Sequence, residues 1–241
     1  MRLAASGDPG KLWIVADEQT GGRGRHGRVW ASPPGNLYAS LLLIDPGPMQ
    51  RCAELGFAAG VALVRAARAL AGGDERLLLK WPNDLLFAGA KLSGLLLEST
   101  CLPDGRHACV IGCGVNCRSF PPGLAYPATH LSAALDRSIA AADMFTPLSA
   151  AMAQSLAAWA AGAGFATIRA DWLKLCHGLG RELRAKLAHQ DITGVFRTID
   201  AAGRLILDTD AGSVAVEAGD IFPLELSGVQ GVAGRKHMTY G

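Results

Sequence analysis

The sequence predicts an α+β fold: a mixed β-sheet backed by helices, followed by a small all-β module. Three observations predict it. Short apolar runs of strand character recur between turn signals from residue 12 to residue 116. One long stretch, residues 50–71, changes to a helical period. Beyond Gly178 the chain becomes a series of short strands punctuated by glycine turns. A length of 241 residues accommodates one large domain with a satellite. We place the divisions at 1–177 for the large domain, 178–226 for the all-β module and 227–241 for a glycine-rich polar tail.

Each element has a local reason. Leu12-Trp13-Ile14-Val15-Ala16 reads as a buried strand that delivers a glycine–arginine loop. Residues 36–44 form a second, nearly continuous apolar strand, stopped by Asp45-Pro46-Gly47-Pro48. In the helix that follows, Leu55, Ala58, Ala59, Ala62, Leu63, Ala66 and Leu70 keep a 3.6-residue period, with the arginines on other faces. Gly72-Gly73 ends it. Residues 77–81 make a third strand broken by Pro82, residues 91–99 a fourth after a Gly89 turn, and residues 109–116 a fifth. Glycines at alternate positions 112 and 114 mark close approach of another group. Residues 121–145 read as loop, Thr146-Pro147 as the cap of a helix over 148–161, and 168–176 as a short helix. Strands over 181–187, 193–199, 204–207 and 213–216 then fit a compact barrel.

Composition narrows the function. Half the residues are apolar and 18% are charged, the profile of a globular core. A balance of 23 basic against 21 acidic residues is too even to recruit a polyanion by bulk charge. No run approaches the 18 or so apolar residues of a membrane span, and the N-terminus lacks a signal-peptide core. The six cysteines contain no Cys-x-x-Cys pair, which fits a reducing cytoplasm. Cys109, Cys113 and Cys117 share one strand parity and read as small buried hydrophobes rather than a metal set.

The chemistry gathers at strand ends. Gly21-Gly22-Arg23-Gly24-Arg25-His26-Gly27-Arg28, closed by Trp30, combines backbone freedom with guanidinium forks suited to carboxylate and phosphate oxygens. Asn83 and Asp84, Lys91 and Asn116 stand at the ends of other strands. A lysine gathered with arginines calls for an anion, and Asp84 is a candidate magnesium ligand or a group that positions a ribose or nucleophile.

Taken together these residues resemble the biotin–protein ligases. The matching segments are Gly22-Arg23-Gly24-Arg25-His26-Gly27-Arg28 with Trp30, Lys80-Trp81-Pro82-Asn83-Asp84, Lys91-Leu92-Ser93-Gly94 and Gly112-Cys113-Gly114-Val115-Asn116. The resemblance implies a catalytic domain like that of the class II aminoacyl-tRNA synthetases, ending in an SH3-like barrel over residues 178–226. It implies attack of the biotin carboxylate on the α-phosphate of Mg2+-ATP, giving biotinyl-5′-AMP, and then transfer to a lysine of a biotin carboxyl carrier protein or domain. Lys91, Arg25 and Asp84 would be catalytic. Gln19, Arg23, Gly24, Arg25, Lys91, Gly94 and Gly114 would bind biotin, with Arg28, Trp30, Asn83, Asp84 and Asn116 at the adenylate. Magnesium would arrive with ATP rather than in a protein cage. A lipoate or octanoate ligase on the same fold and a non-catalytic biotin-binding protein are the alternative readings. Family members also begin with a biotin-contacting Ser-Thr-Asn segment. None precedes Trp13, and the expectation is a chain shortened at its start. There is likewise no room for a DNA-binding helix-turn-helix, so no repressor role is expected. Homodimers form in several family members, and that possibility stays open.

Overall fold

A computed structural model describes residues 1–187, 190–217 and 219–223. The large sheet comprises β1 (Leu12–Ala16), β2 (Leu37–Ile44), β3 (Leu77–Lys80), β4 (Asp84–Phe87), β5 (Ala90–Cys101) and β6 (His107–Val115). Their order is β1-β2-β6-β5-β4-β3, with every neighbouring pair antiparallel. Parallel pairing is confined to isolated bridges from Leu79 to Cys176 and from Lys91 to Ala128.

Strand β4 is absent from the sequence reading. Its four residues, Asp84-Leu85-Leu86-Phe87, are too short to separate from a turn by pattern alone. The Trp81-Pro82 turn folds them back on β3, pairing Lys80 with Asp84 and Leu79 with Leu85. Strand β1 departs differently. It lies at the sheet edge, paired to β2, and Ile14 and Val15 are exposed rather than buried.

Five α-helices follow the chain among the described residues: α1 (Arg2–Ala5), α2 (Leu55–Leu70), α3 (Leu131–Ala134), α4 (Ala141–Trp159) and α5 (Phe165–Lys174). A 3₁₀ segment, Met49–Glu54, leads into α2. Helix α2 is buried nearly all round, because the sheet covers one side and α4 and α5 cover others. Its alanines and glycines permit that sandwich. A Cβ on Gly60 would stand 3.2 Å from the Trp172 indole nitrogen. Only Arg65 of the helix centre reaches the surface, pairing with Asp171 at 2.7 Å.

Helix α4 starts seven residues before the expected 148, with Pro147 inside it. The Asp143 carboxylate accepts the Ala140 N–H at 2.7 Å, a start signal of greater consequence than Thr146-Pro147.

Odd-numbered residues of β6 face the helices, so Cys109, Ile111, Cys113 and Val115 are buried in the main core. Burial pushes the Cys113 thiol up to about 12 and the Cys117 thiol to about 11, as expected of inert packing cysteines. The small module contains β7 (Glu182–Lys186), β8 (Asp191–Ile199), β9 (Leu205–Thr209), β10 (Gly212–Val216) and β11 (Asp220–Pro223), in the order β10-β9-β8-β7-β11. Among the described residues β10 and β11 do not pair, so the barrel is not closed. Strand β11 was not read from the sequence. Leu183, Phe196, Leu205 and Leu207 join the same core as α2, and Trp81 Nε1 donates to Gly203 O at 3.3 Å. The module is thus held firmly against the large sheet. The expected tail, 227–241, lies outside the described residues. No helix among them is long and apolar enough to cross a membrane.

Candidate active site

The face of the sheet turned away from the helices carries a cavity of about 550 Å3. Strand alternation builds its floor: Val110, Gly112 and Gly114 of β6 lie beside Gly94, Leu96 and Glu98 of β5. The glycine–arginine loop closes over it as a tight hairpin. Trp30 N donates to Gly22 O at 3.0 Å and Gly24 N to Arg28 O at 2.7 Å, with the turn made by His26 and Gly27 at positive φ. Asp220 and Phe222 of the small module complete the wall.

Charge is the cavity's main feature. Arg23, Arg25, Arg28, Lys80 and Lys91 line it together with Asp84, Glu98 and Asp220, leaving two positive charges in excess. Lys91 Nζ lies 2.8 Å from Asp84 Oδ1, and both side chains are largely buried. Arg23 pairs with Glu98 at 3.1 Å, and Arg28 donates to Asp220. Arg25 donates to Asn83 Oδ1 at 3.4 Å and to Gly219 O at 3.3 Å. Burial lowers the Arg25 pKa, partly offset by Asp220 and Asp84, although a guanidinium stays charged at neutral pH. Burial also lowers that of Lys80, with Lys91 and Arg28 adding to the effect and Asp84 and Asp220 opposing it.

Trp30 has a seat of its own. A Cβ on Gly114 would stand 2.7 Å from its indole, and one on Gly94 would stand 3.2 Å away. The alternate-glycine pattern therefore admits an aromatic ring. Lys91 Nζ sits 5.6 Å from the Trp30 ring centroid and 5.4 Å from that of Tyr126. Trp30 Nε1 is buried with no partner among the described residues. The sequence reading put Trp30 at the adenylate and Gly94 and Gly114 at biotin. Here the three form one contact.

Gln19, Arg23, Gly24, Arg25, Arg28, Trp30, Asn83, Asp84, Lys91, Gly94 and Gly114 all line the cavity. Asn116 does not. Its side chain donates to Thr129 O at 3.1 Å, and the segment thus held brackets Lys91 through Lys91 N to Pro127 O and Thr129 N to Lys91 O. Asn116 therefore supports the backbone that carries Lys91. Asp84, the candidate magnesium ligand or positioning group, is paired with Lys91, and Glu98 and Asp220 are likewise engaged by Arg23 and Arg28.

Lys80, Tyr126, His177, Asp220 and Phe222 were not predicted. Lys80 stands in the Lys80-Trp81-Pro82-Asn83-Asp84 segment, so its signal was present. The others arrive through tertiary folding. Cys176 bridges to Leu79, and His177 N donates to Leu79 O, which brings His177 beside Lys80. Burial and the neighbouring Lys80 lower the His177 pKa.

Residues 3–116 match the Biotin/lipoate A/B protein ligase family, and residues 178–222 match the Biotin protein ligase C terminal domain. The chain is 36% identical to a biotin–[acetyl-CoA-carboxylase] ligase of Paracoccus denitrificans, covering 90% of this chain and 92% of that one. It is 34% identical to the same-named ligase of Mycobacterium tuberculosis, over 92% and 83% of the two chains. Its fold superposes on the biotin protein ligase of Aquifex aeolicus solved with biotin and ATP, with a TM-score of 0.73, 27% identity and 87% of each chain covered. A likeness that covers about nine-tenths of both chains and takes in the large sheet and the small module places this chain in the biotin protein ligase family.

Proposed function

We infer that the chain activates biotin with ATP to biotinyl-5′-AMP and transfers the biotinyl group to a lysine of a biotin carboxyl carrier protein or domain. The observation that carries this reading is the excess of positive charge around a glycine-floored cavity. Five cations face three carboxylates there. A ligand bearing a carboxylate and phosphates supplies the missing negative charge, and charge-assisted bonds to it form without dismantling the fold.

In the first step, a carboxylate oxygen of biotin attacks the α-phosphorus of ATP and pyrophosphate leaves. Lys91 and Arg25 hold the two anionic groups together and stabilise charge on the transferring phosphoryl group. Asp84 orients Lys91 through their ion pair. Arg23 and Arg28 exchange Glu98 and Asp220 for ligand oxygens, and Asn83 orients Arg25. Magnesium travels with the nucleotide phosphates. In the second step the carrier amine attacks the acyl carbon of the mixed anhydride and AMP departs. The hairpin over the cavity shields that anhydride from water.

Biotin-dependent ATP–pyrophosphate exchange, with lipoate as the control acid, tests the reading. Exchange driven by biotin and not lipoate is the expected result. Exchange driven by lipoate alone would transfer the assignment to lipoate ligation. Biotin binding without exchange would instead mark a sensor. The glycine floor gives a second test. Gly114→Val puts a branched side chain where Trp30 packs, an overpacking cost of about 1–3 kcal/mol. Biotin affinity by calorimetry should fall about 10- to 100-fold. Unchanged affinity would show that the indole does not need this seat.

A further inference from the structure

At the opposite end of β6, on the face turned toward the helices, Cys52, His107 and Cys109 gather. Their ligating atoms all lie within 4.8 Å of one another. Cys52 comes from the 3₁₀ segment before α2, and the other two are alternate residues of β6. Cys52 Sγ is 3.4 Å from His107 Nε2. The other ring nitrogen, Nδ1, faces Asp45 Oδ1 at 2.8 Å, and Asp45 Oδ1 also accepts the His107 backbone N–H at 2.9 Å. With Nδ1 donating to that carboxylate, Nε2, which faces the Cys52 sulfur, is the ring nitrogen left to ligate.

We propose that Cys52, His107 and Cys109 form a zinc site. The donor set, two thiols and one imidazole, suits a thiophilic d10 cation. A tetrahedral zinc holds such ligand atoms roughly 3.5–3.8 Å apart. The Cys52–His107 separation already matches, and closing the remaining spread takes about 1 Å of side-chain movement. A carboxylate on the non-ligating nitrogen is the outer contact that orients metal-binding histidines. On binding, each cysteine releases its thiol proton to solvent and His107 coordinates as the neutral ring. Cys101 pairs with His107 across β5 and β6, and Met49 stands three residues before Cys52 on the 3₁₀ segment. Their exposed sulfurs lie 3.9 Å apart and offer a soft landing for an incoming ion. The spacing escapes sequence inspection because Cys52 and Cys109 are 57 positions apart. The site is separate from the charged cavity, which lies on the other face of the sheet, so it stands or falls independently of the ligase reading.

The test uses the reduced full chain, stripped with chelator and titrated with Co2+ and then Zn2+. The expected result is a thiolate-to-cobalt charge-transfer band with tetrahedral d–d absorption, saturating at one ion per chain and erased by Zn2+. Cys52→Ser and Cys109→Ser should each abolish the band. Asp45→Asn, a surface change that leaves all three ligands in place, should weaken zinc binding about 10- to 100-fold. Cys113→Ala should leave it unchanged, and biotin-dependent exchange should survive Cys52→Ser. Absence of the band in the wild-type chain would overturn the proposal, leaving Cys52 as a simple hydrogen-bond partner of His107. Persistence of the band in Cys52→Ser and Cys109→Ser, with the ion held by Cys101, would overturn it equally.

Discussion

Replacing Lys91 by alanine is expected to cut biotin-dependent ATP–pyrophosphate exchange by about 100- to 1,000-fold, the loss typical of removing one preorganised group from a developing charge. The geometry explains why the effect should be large. Lys91 Nζ is held by Asp84 at 2.8 Å and lies near the faces of Trp30 and Tyr126, so its charge is placed before any ligand arrives. Its backbone is bracketed by Pro127 and Thr129. Arg25 stands close enough to feel the Asp84 charge, so losing Lys91 also leaves Asp84 free to draw Arg25 toward it. Asp84→Asn separates the two roles. It should reduce exchange less than Lys91→Ala does, because the lysine charge remains while its orientation is lost. Circular dichroism of each variant checks that the fold persists. Exchange within threefold of wild type in Lys91→Ala would remove Lys91 from the chemistry.

The largest effect on stability is expected at Trp159. The side chain is fully buried at the end of α4, and its Nε1 donates to Glu54 Oε2 at 2.7 Å. Glu54 is itself buried, with its other oxygen taken by Arg51 Nε at 2.9 Å. Trp159→Ala therefore opens a large cavity, worth about 3–5 kcal/mol. It also strips a donor from a buried carboxylate, worth about 1–3 kcal/mol more where water does not replace it. At roughly 2–4 °C per kcal/mol for a chain of this size, Tm should fall by about 10–20 °C or more. Trp159→Phe keeps most of the ring and loses only the donor, so its Tm should lie between the two. A thermal melt of Trp159→Ala within a few degrees of wild type would show that Glu54 and the α4 terminus do not depend on the indole.

The sequence alone determined the order of most elements and the identity of most of the cavity's cations. Strands β2, β5 and β6 are long, apolar and bounded by strong turns, so local pattern and tertiary demand agree. Arg23, Arg25, Arg28 and Lys91 were legible because charges clustered at strand ends and beside glycines serve no packing purpose. The small module was legible through its glycine turns, apart from β11.

Tertiary structure decided the rest. Strand β4 exists because β3 and β5 flank it and complete its hydrogen bonds, which four residues cannot signal alone. The exposure of β1 follows from its place at the edge, a property of strand order rather than of composition. Helix α2 is buried on nearly every side because three neighbours meet there, although its periodicity describes one apolar face. Asp220 reaches the cavity from the small module, His177 through its bond to Leu79 of β3, and Asn116 turns away from the cavity to hold Thr129. The gathering of Cys52 with His107 and Cys109 has the same origin. Sequence patterns report contacts a few residues apart, whereas these contacts join positions that only the folded chain makes neighbours.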